Sequence, residues 1–409
     1  MAAPTTSPAH PSGEPGRPRP GSAANGWPAV VSVTLGIFAI VTTEILPIGL
    51  LTEIGTSFSV SDGNAGLMMT MPGLLAAASA PVVTAASAHV DRRLMLCAFM
   101  ALLAGANFLA AAAPDYWVVL ASRVVVGVVI GGFWSIGASL AERLVPAPSV
   151  GRARAVIFSA VPLGSVLGVP AGTLLGDLAD WRTAFVALGA LTVGVLVMLL
   201  VSVPLLPPTR TTRLHVLRGM LRGVNTRFAL VVTILIVLAH FGAYTYVTPF
   251  LEQVTEAGPR LITGLLLVYG AAGIIGNFLG GALVTRRPRG TFGLVAVVIA
   301  AATLLLPVLG GRPFGAVALL VLWGVAYGAV PVSSQTWFAK AAPHAPEAAA
   351  VLFTASFQAT IALGALAGGV AVDQTSPSAV MTFGGGAAAL AAVAVWIHRT
   401  RRLTWPDGT

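Results

Sequence analysis

Twelve predominantly apolar runs alternate with short polar gaps along the chain, at approximately 28–51, 63–87, 95–113, 118–141, 155–176, 183–206, 226–251, 261–284, 291–310, 316–339, 347–372 and 378–397. Each is close to the ~20 residues that an α-helix, rising about 1.5 Å per residue, needs to cross a hydrocarbon layer of about 30 Å. The pattern predicts an all-α membrane protein with 12 crossings, which returns the chain to the side on which it starts.

The charges orient these crossings. Of 23 Lys and Arg residues, 19 fall in every second gap or in the two tails: Arg92 and Arg93; Arg143, Arg152 and Arg154; Arg210, Arg213, Arg218, Arg222 and Arg227; Arg286, Arg287, Arg289 and Lys340; and Arg17, Arg19, Arg399, Arg401 and Arg402. The opposite gaps hold only Arg182, Arg260 and Arg312, while Arg123 lies inside a run. Basic residues concentrate on the cytoplasmic side of membrane proteins, so both termini are expected there.

Composition agrees with a bilayer as solvent. With 56% hydrophobic and 9% charged residues, the chain departs far from the roughly 25% charge of soluble folded domains. A pI near 10.9 could suggest nucleic acid, but the basic residues are scattered over short loops suited to anionic headgroups, so no nucleic-acid partner is expected. The single cysteine, Cys97, permits no intramolecular disulfide and reads as a small core residue. Residues 1–26, with Pro4, Pro8, Pro11, Pro15, Pro18 and Pro20 among Gly, Ser and Ala, predict a disordered cytoplasmic tail, and residues 398–409 are expected to be a cytoplasmic tail as well. The preference for Arg over Lys, with abundant Ala and Gly, suggests a GC-rich bacterial genome and hence the bacterial inner membrane.

The runs divide into two halves, 27–206 and 226–397, joined by the Arg-rich segment 207–225, which reads as a cytoplasmic linker. Val156-Ile157-Phe158-Ser159-Ala160, Gly172 and Asp177 recur as Val351-Leu352-Phe353-Thr354-Ala355, Gly368 and Asp373; Thr43 and Pro47 recur as Thr245 and Pro249. The echoes predict two pseudo-symmetric six-helix bundles. Some secondary transporters use such repeats to hold a solute near the midplane and to rock around it.

Chemistry-bearing residues inside the runs are few. Glu44 is the acid placed well inside a span, about seven residues or ~10 Å from the outer end of the first helix. An ionisable group there costs at least ~2.5 kcal/mol, so it needs a partner or a proton. A carboxyl whose surroundings change as the protein rocks can take up and release a proton; a static hydrogen bond is the alternative. Arg123, at a similar depth in the fourth helix and charged at any physiological pH, is its candidate partner. Leu320 stands at the corresponding point of the second half, so any coupling is expected in the first half.

Gly164, Gly168, Gly172 and Gly176 lay a side-chain-free strip along the fifth helix, which Pro170 can bend; a sliding contact with Gly276, Gly280 and Gly281 of the eighth helix is expected. Candidate pocket residues are Trp134, His240, Tyr244, Tyr246, Asn277, Gln335, Trp337 and Gln358, because aromatic walls with a few amides suit a planar or amphipathic solute. His240 is a second proton candidate. Asp91, Arg92 and Arg93 join helices two and three, where a carboxylate can cap the third helix, latch a gate or sit in a solvated turn. No phosphate-cradling loop, metal-spaced Cys/His cluster or nucleophile elbow is present in the sequence, so neither cofactor, metal nor enzymatic chemistry is expected.

The segment Arg123-Val-Val-Val-Gly127-Val-Val-Ile-Gly131-Gly132-Phe-Trp134-Ser, ending in Leu144-Val145-Pro146, resembles the major facilitator superfamily. The likeness extends to Gly164-x3-Gly168-Val-Pro170-Ala-Gly172-x3-Gly176 with Trp181-Arg182, to Thr43-Glu44-Ile-Leu-Pro47 and to Thr245-Tyr246-Val-Thr-Pro249. More narrowly, the chain is similar to the drug:proton antiporter branch that includes sugar and purine ribonucleoside efflux pumps. Two positions depart from that pattern: Ser87-Ala88-His89-Val90-Asp91-Arg92-Arg93 keeps only the charged centre of the gating loop, and Val169 separates Gly168 from Pro170. The resemblance implies two six-helix bundles, a coupling role for Arg123, an inner gate at Asp91 to Arg93, and a monomer exchanging protons for a nucleoside, sugar or drug-like solute. Uncoupled facilitated diffusion and a transport-inactive sensor are the alternatives.

Overall fold

The computed structural model describes residues 26–86, 90–137, 140–207, 223–341 and 346–400. Most of the two tails and of the linker, the loop residues 87–89, and the arginines at 210, 213, 218, 222, 401 and 402 lie outside the described residues. The described chain contains 12 helices long and apolar enough to cross a membrane. We number the long helices α1 (Trp27–Gly49), α2 (Leu67–Ala86), α3 (Arg92–Ala111), α4 (Tyr116–Gly137), α5 (Val150–Leu178), α6 (Trp181–Ser202), α7 (Val224–Tyr244), α8 (Pro259–Arg286), α9 (Pro288–Leu309), α10 (Pro313–Ala341), α11 (Pro346–Gln374) and α12 (Pro377–Thr400). In lipid only such internally bonded segments satisfy their own backbone, and this is why the apolar runs became helices.

Two crossings end in a helix break, the first at the edge of its predicted run (28–51) and the seventh inside its run (226–251). The first ends at Gly49 and resumes as a short helix Leu51–Ser57; the seventh ends at Tyr244 and resumes as Val247–Gln253. Each contains a proline, Pro47 or Pro249, which offers no N–H to the carbonyl four residues earlier. The second crossing also has a preface, the short helix Asp62–Ala65, capped by the Ser61 hydroxyl and leading through Gly66 into α2.

Packing repeats with the chain. In the first half α1 packs on α5, α2 on α4, and α3 on α6 and α4; six helices later α7 packs on α11, α8 on α10, and α9 on α12 and α10. The halves meet where α2 faces α11 and α5 faces α8, again a symmetric pair. Hydrogen bonds across this seam gather toward the arginine-poor end. Asp373 accepts from the Ser61 hydroxyl at 2.7 Å and the Gly63 N–H at 2.8 Å, Thr248 donates to the Ile48 carbonyl at 2.9 Å, and Thr263 donates to Thr173 at 2.8 Å.

The glycine strip lies elsewhere than expected. A Cβ at Gly164, Gly168 or Gly172 would meet Val41, Ile45 or Leu46 of α1, and one at Gly176 would meet Glu53 and Leu50. The strip therefore seats α5 on α1 within its own half, the missing side chains making room for branched ones. Gly276 and Gly280 likewise face Val325 and Ala329 of α10. The α5–α8 contact across the seam instead runs through Val166 against Gly270 and through the Thr173–Thr263 bond.

Candidate functional site

Two prolines prepare the setting for Arg123. Pro47 in α1 and Pro72 in α2 leave the carbonyls of Thr43 and Met68 without their usual helical donors. Arg123, wholly buried on α4, fills both places: its Nε donates to Met68 O at 3.1 Å and its Nη1 to Thr43 O at 2.9 Å, while Nη2 donates to Glu44 O at 3.0 Å. The guanidinium fork thus ties three helices of the first half together through backbone oxygens. Arg123 and Glu44 are adjacent as expected, but through the Glu44 backbone; the ion pairs found among the described residues lie elsewhere, at Arg154–Glu142 and Arg182–Asp180.

The Glu44 carboxyl turns to the other half. Its Oε1 accepts the Nε2–H of Gln358 on α11 at 2.9 Å, and both residues are more than nine-tenths buried. An amide N–H can donate to either form of a carboxyl, so the seam presents a titratable acid whose hydrogen-bonding partner belongs to the opposite bundle.

Beside this contact, in the second half, lies a stack of rings. His240 and Tyr327 are parallel within 7° at 3.3 Å between centroids; Tyr244 stacks on His240 at 4.9 Å, and Tyr269 on Tyr244 at 4.6 Å. Trp323 stands edge-on to His240, Tyr244 and Tyr269 at 5.5, 5.7 and 5.8 Å. His240 and Tyr244 were recognisable as mid-depth aromatic candidates. Tyr269, Trp323 and Tyr327 were missed, although His240/Tyr244 and Trp323/Tyr327 are both ring pairs spaced four apart, which places each pair on one helix face.

The remaining candidates disperse. Trp337 packs into the second bundle's interior against Phe228 and Phe292, at 5.7 and 4.9 Å, so it is a core residue. Tyr246 is fully buried near the arginine-poor end, donating to Ala365 O at 2.7 Å. Trp134 is half-buried and stacks on Phe158 in the first half; Asn277 is half-buried on α8 and Gln335 exposed on α10. Depth alone grouped residues whose directions around their helices differ. At the arginine-rich end Asp91 caps α3 by accepting the Arg93 N–H at 2.8 Å, while the buried Arg92 donates its backbone N–H to Leu206 O at 2.9 Å and the Arg93 guanidinium bonds the Leu200 carbonyl.

Known proteins share this architecture. The sequence profile described as Major Facilitator Superfamily matches residues 33–357. A relative from Pseudomonas aeruginosa strain PAO1, named transcription regulatory protein OpdE, is 33% identical over 389 residues, covering 94% of this chain and 96% of that one. Among solved structures, an inward-facing, occupied bacterial homologue of the human lysosomal transporter Spinster superposes with a TM-score of 0.77 at 16% identity, covering 95% of this chain and 100% of the other. The human organic anion transporter MFSD10 gives 0.62 at 18% identity, covering 90% and 99%. With the profile spanning most of the described helices and the same twelve-helix fold in both neighbours, this chain belongs to the Major Facilitator Superfamily.

Proposed function

We propose that the protein exports a small organic solute from the bacterial cytoplasm in exchange for protons, by alternating access between its two halves. The observation that carries this reading is the buried Glu44 carboxyl, whose Gln358 donor comes from the opposite half. A proton taken from outside replaces that donor when the halves part, and release inward restores the bond. Each proton driven by the membrane potential supplies ~2.3 kcal/mol per 100 mV, which suffices for uphill export without nucleotide. Arg123 holds α1 and α2 in register around the carboxylate and adds a positive charge beside it. The arginine bias supports cytoplasmic termini, and on that orientation the bonded seam end faces outward and cargo reaches Glu44 from inside.

Reconstituted vesicles holding an internal pH dye and challenged with a panel of nucleosides, sugars and drug-like solutes test the proposal. At least one solute should drive proton movement, and Glu44→Gln should abolish it while leaving downhill solute flux measurable. Uphill export that survives Glu44→Gln would leave an uncoupled carrier. The regulatory name of the Pseudomonas relative favours a second reading, a membrane sensor; for that, no solute in the panel would move at all.

A further inference from the structure

Three buried polar atoms of the second half sit around one ring stack: His240 Nδ1, Tyr269 Oη and Trp323 Nε1, none with a hydrogen-bond partner among the described residues. Their residues are 1%, 6% and 0% exposed. Leaving a buried donor unpaired is unfavourable, and native proteins rarely collect several in one place without a use. The indole N–H can only donate, and the tyrosine hydroxyl has a proton to give. The rings are already stacked or edge-on to one another, a surface that accepts a further flat ring with little reorganisation. Tyr327, half-buried, ends the stack within electrostatic reach of Glu44.

We propose that this stack of Tyr327, His240, Tyr244 and Tyr269, with Trp323 edge-on, binds a neutral, planar heteroaromatic solute whose acceptors engage the Tyr269 hydroxyl and the Trp323 N–H. The inference rests on the transport reading and names its cargo. A planar cation without acceptors leaves both donors unpaired, and a sugar has no face to stack.

Equilibrium binding to the purified full-length protein in lipid nanodiscs tests this, with coumarin as the neutral planar acceptor, 1-methylquinolinium as a planar cation of similar size, and glucose as the non-planar solute. Coumarin should bind in preference to the other two. Tyr269→Phe and Trp323→Phe should each weaken it about tenfold, the loss of one hydrogen bond. The unliganded Tyr269→Phe protein should melt no lower than wild type, because removing an unpaired hydroxyl removes its desolvation cost. Trp323→Phe leaves some space behind, so Tyr269→Phe decides if the former folds poorly. Coumarin affinity unchanged by Tyr269→Phe, tighter binding of 1-methylquinolinium or glucose, or binding of none of the three would overturn the assignment. No proton gradient is present in this measurement, so its failure and a failure of coupling in vesicles are read independently.

Discussion

If Arg123 exists to satisfy carbonyls that prolines set free, then restoring a helical donor should make the arginine less necessary. Arg123→Leu removes three hydrogen bonds and leaves the oxygens of Thr43, Glu44 and Met68 buried. At about 1–3 kcal/mol for each abandoned acceptor, the loss is roughly 3–9 kcal/mol, enough to unfold a marginal protein. Pro47→Ala alone gives α1 an N–H aimed at Thr43 O, where it competes with Arg123 Nη1 at 2.9 Å and changes little. Combined, the alanine's N–H takes over the orphaned Thr43 carbonyl, so the double variant should recover about 1–3 kcal/mol of what Arg123→Leu costs. Equilibrium unfolding of the four proteins in mixed micelles, followed by tryptophan fluorescence, closes the cycle. Additivity within about 0.5 kcal/mol would refute the proline–arginine link and return Arg123 to a purely electrostatic role.

Asp373→Ala should open the arginine-poor end: losing the bonds from Ser61 and Gly63, at about 1 kcal/mol each, shifts the balance of seam-closed and seam-open forms roughly 30-fold. Spin labels at Asp115 and Arg312 in a Cys97→Ser background should then show a longer-distance population, and an unchanged distribution counts against the latch. Glu53, on the short helix after α1, has its carboxyl pushed above the ordinary value of 4.5 chiefly by burial, against the opposing Trp181 N–H and with Asp180 nearby adding to it. A raised folded-state value means the folded form holds this proton more tightly, so stability is favoured at acid pH and declines as pH climbs past 4.5. The melting temperature of Glu53→Gln relative to wild type should accordingly rise between about pH 4 and 7, and a pH-independent difference would contradict that.

The crossings were legible because lipid enforces helices of a given length, and the repeat was legible in Thr43/Pro47 and Thr245/Pro249. What those prolines do was not. The breaks at Leu50 and at Thr245–Tyr246, and the carbonyl that draws in Arg123, follow from proline's missing N–H, but no single sequence says which distant side chain arrives. Direction around a helix was the second blind spot. It put Trp337 and Tyr246 among pocket residues when one fills the second bundle's interior and the other packs near the arginine-poor end, and it aimed the Gly164–Gly176 strip at the second half when branched residues of α1 needed that room. Asp177 and Asp373 echo each other in sequence, yet only Asp373 bridges the seam; Asp177 is exposed.

The duplicated scaffold carries unlike chemistry in its two copies. At the positions matching Trp323 and Tyr327, counted from Gly127 and Gly324, the first half has Val126 and Ile130; at the position matching Arg123 the second half has Leu320. A buried guanidinium needs several acceptors in fixed places, which Pro47 and Pro72 provide in α1 and α2. A ring stack needs wide flat surfaces, which α7, α8 and α10 provide. Placing both in one half would set a desolvated charge against those apolar ring faces. Separated, they meet at the seam, where Gln358 of one half grips Glu44 of the other beside Tyr327. Under the proposed exchange, a solute at the ring stack would disturb the surroundings of Glu44 through Tyr327, and a proton on Glu44 would weaken the tie to Gln358. In that reading solute and proton would need no longer path to influence one another, because both would bear on the contact between the bundles at Glu44 and Gln358.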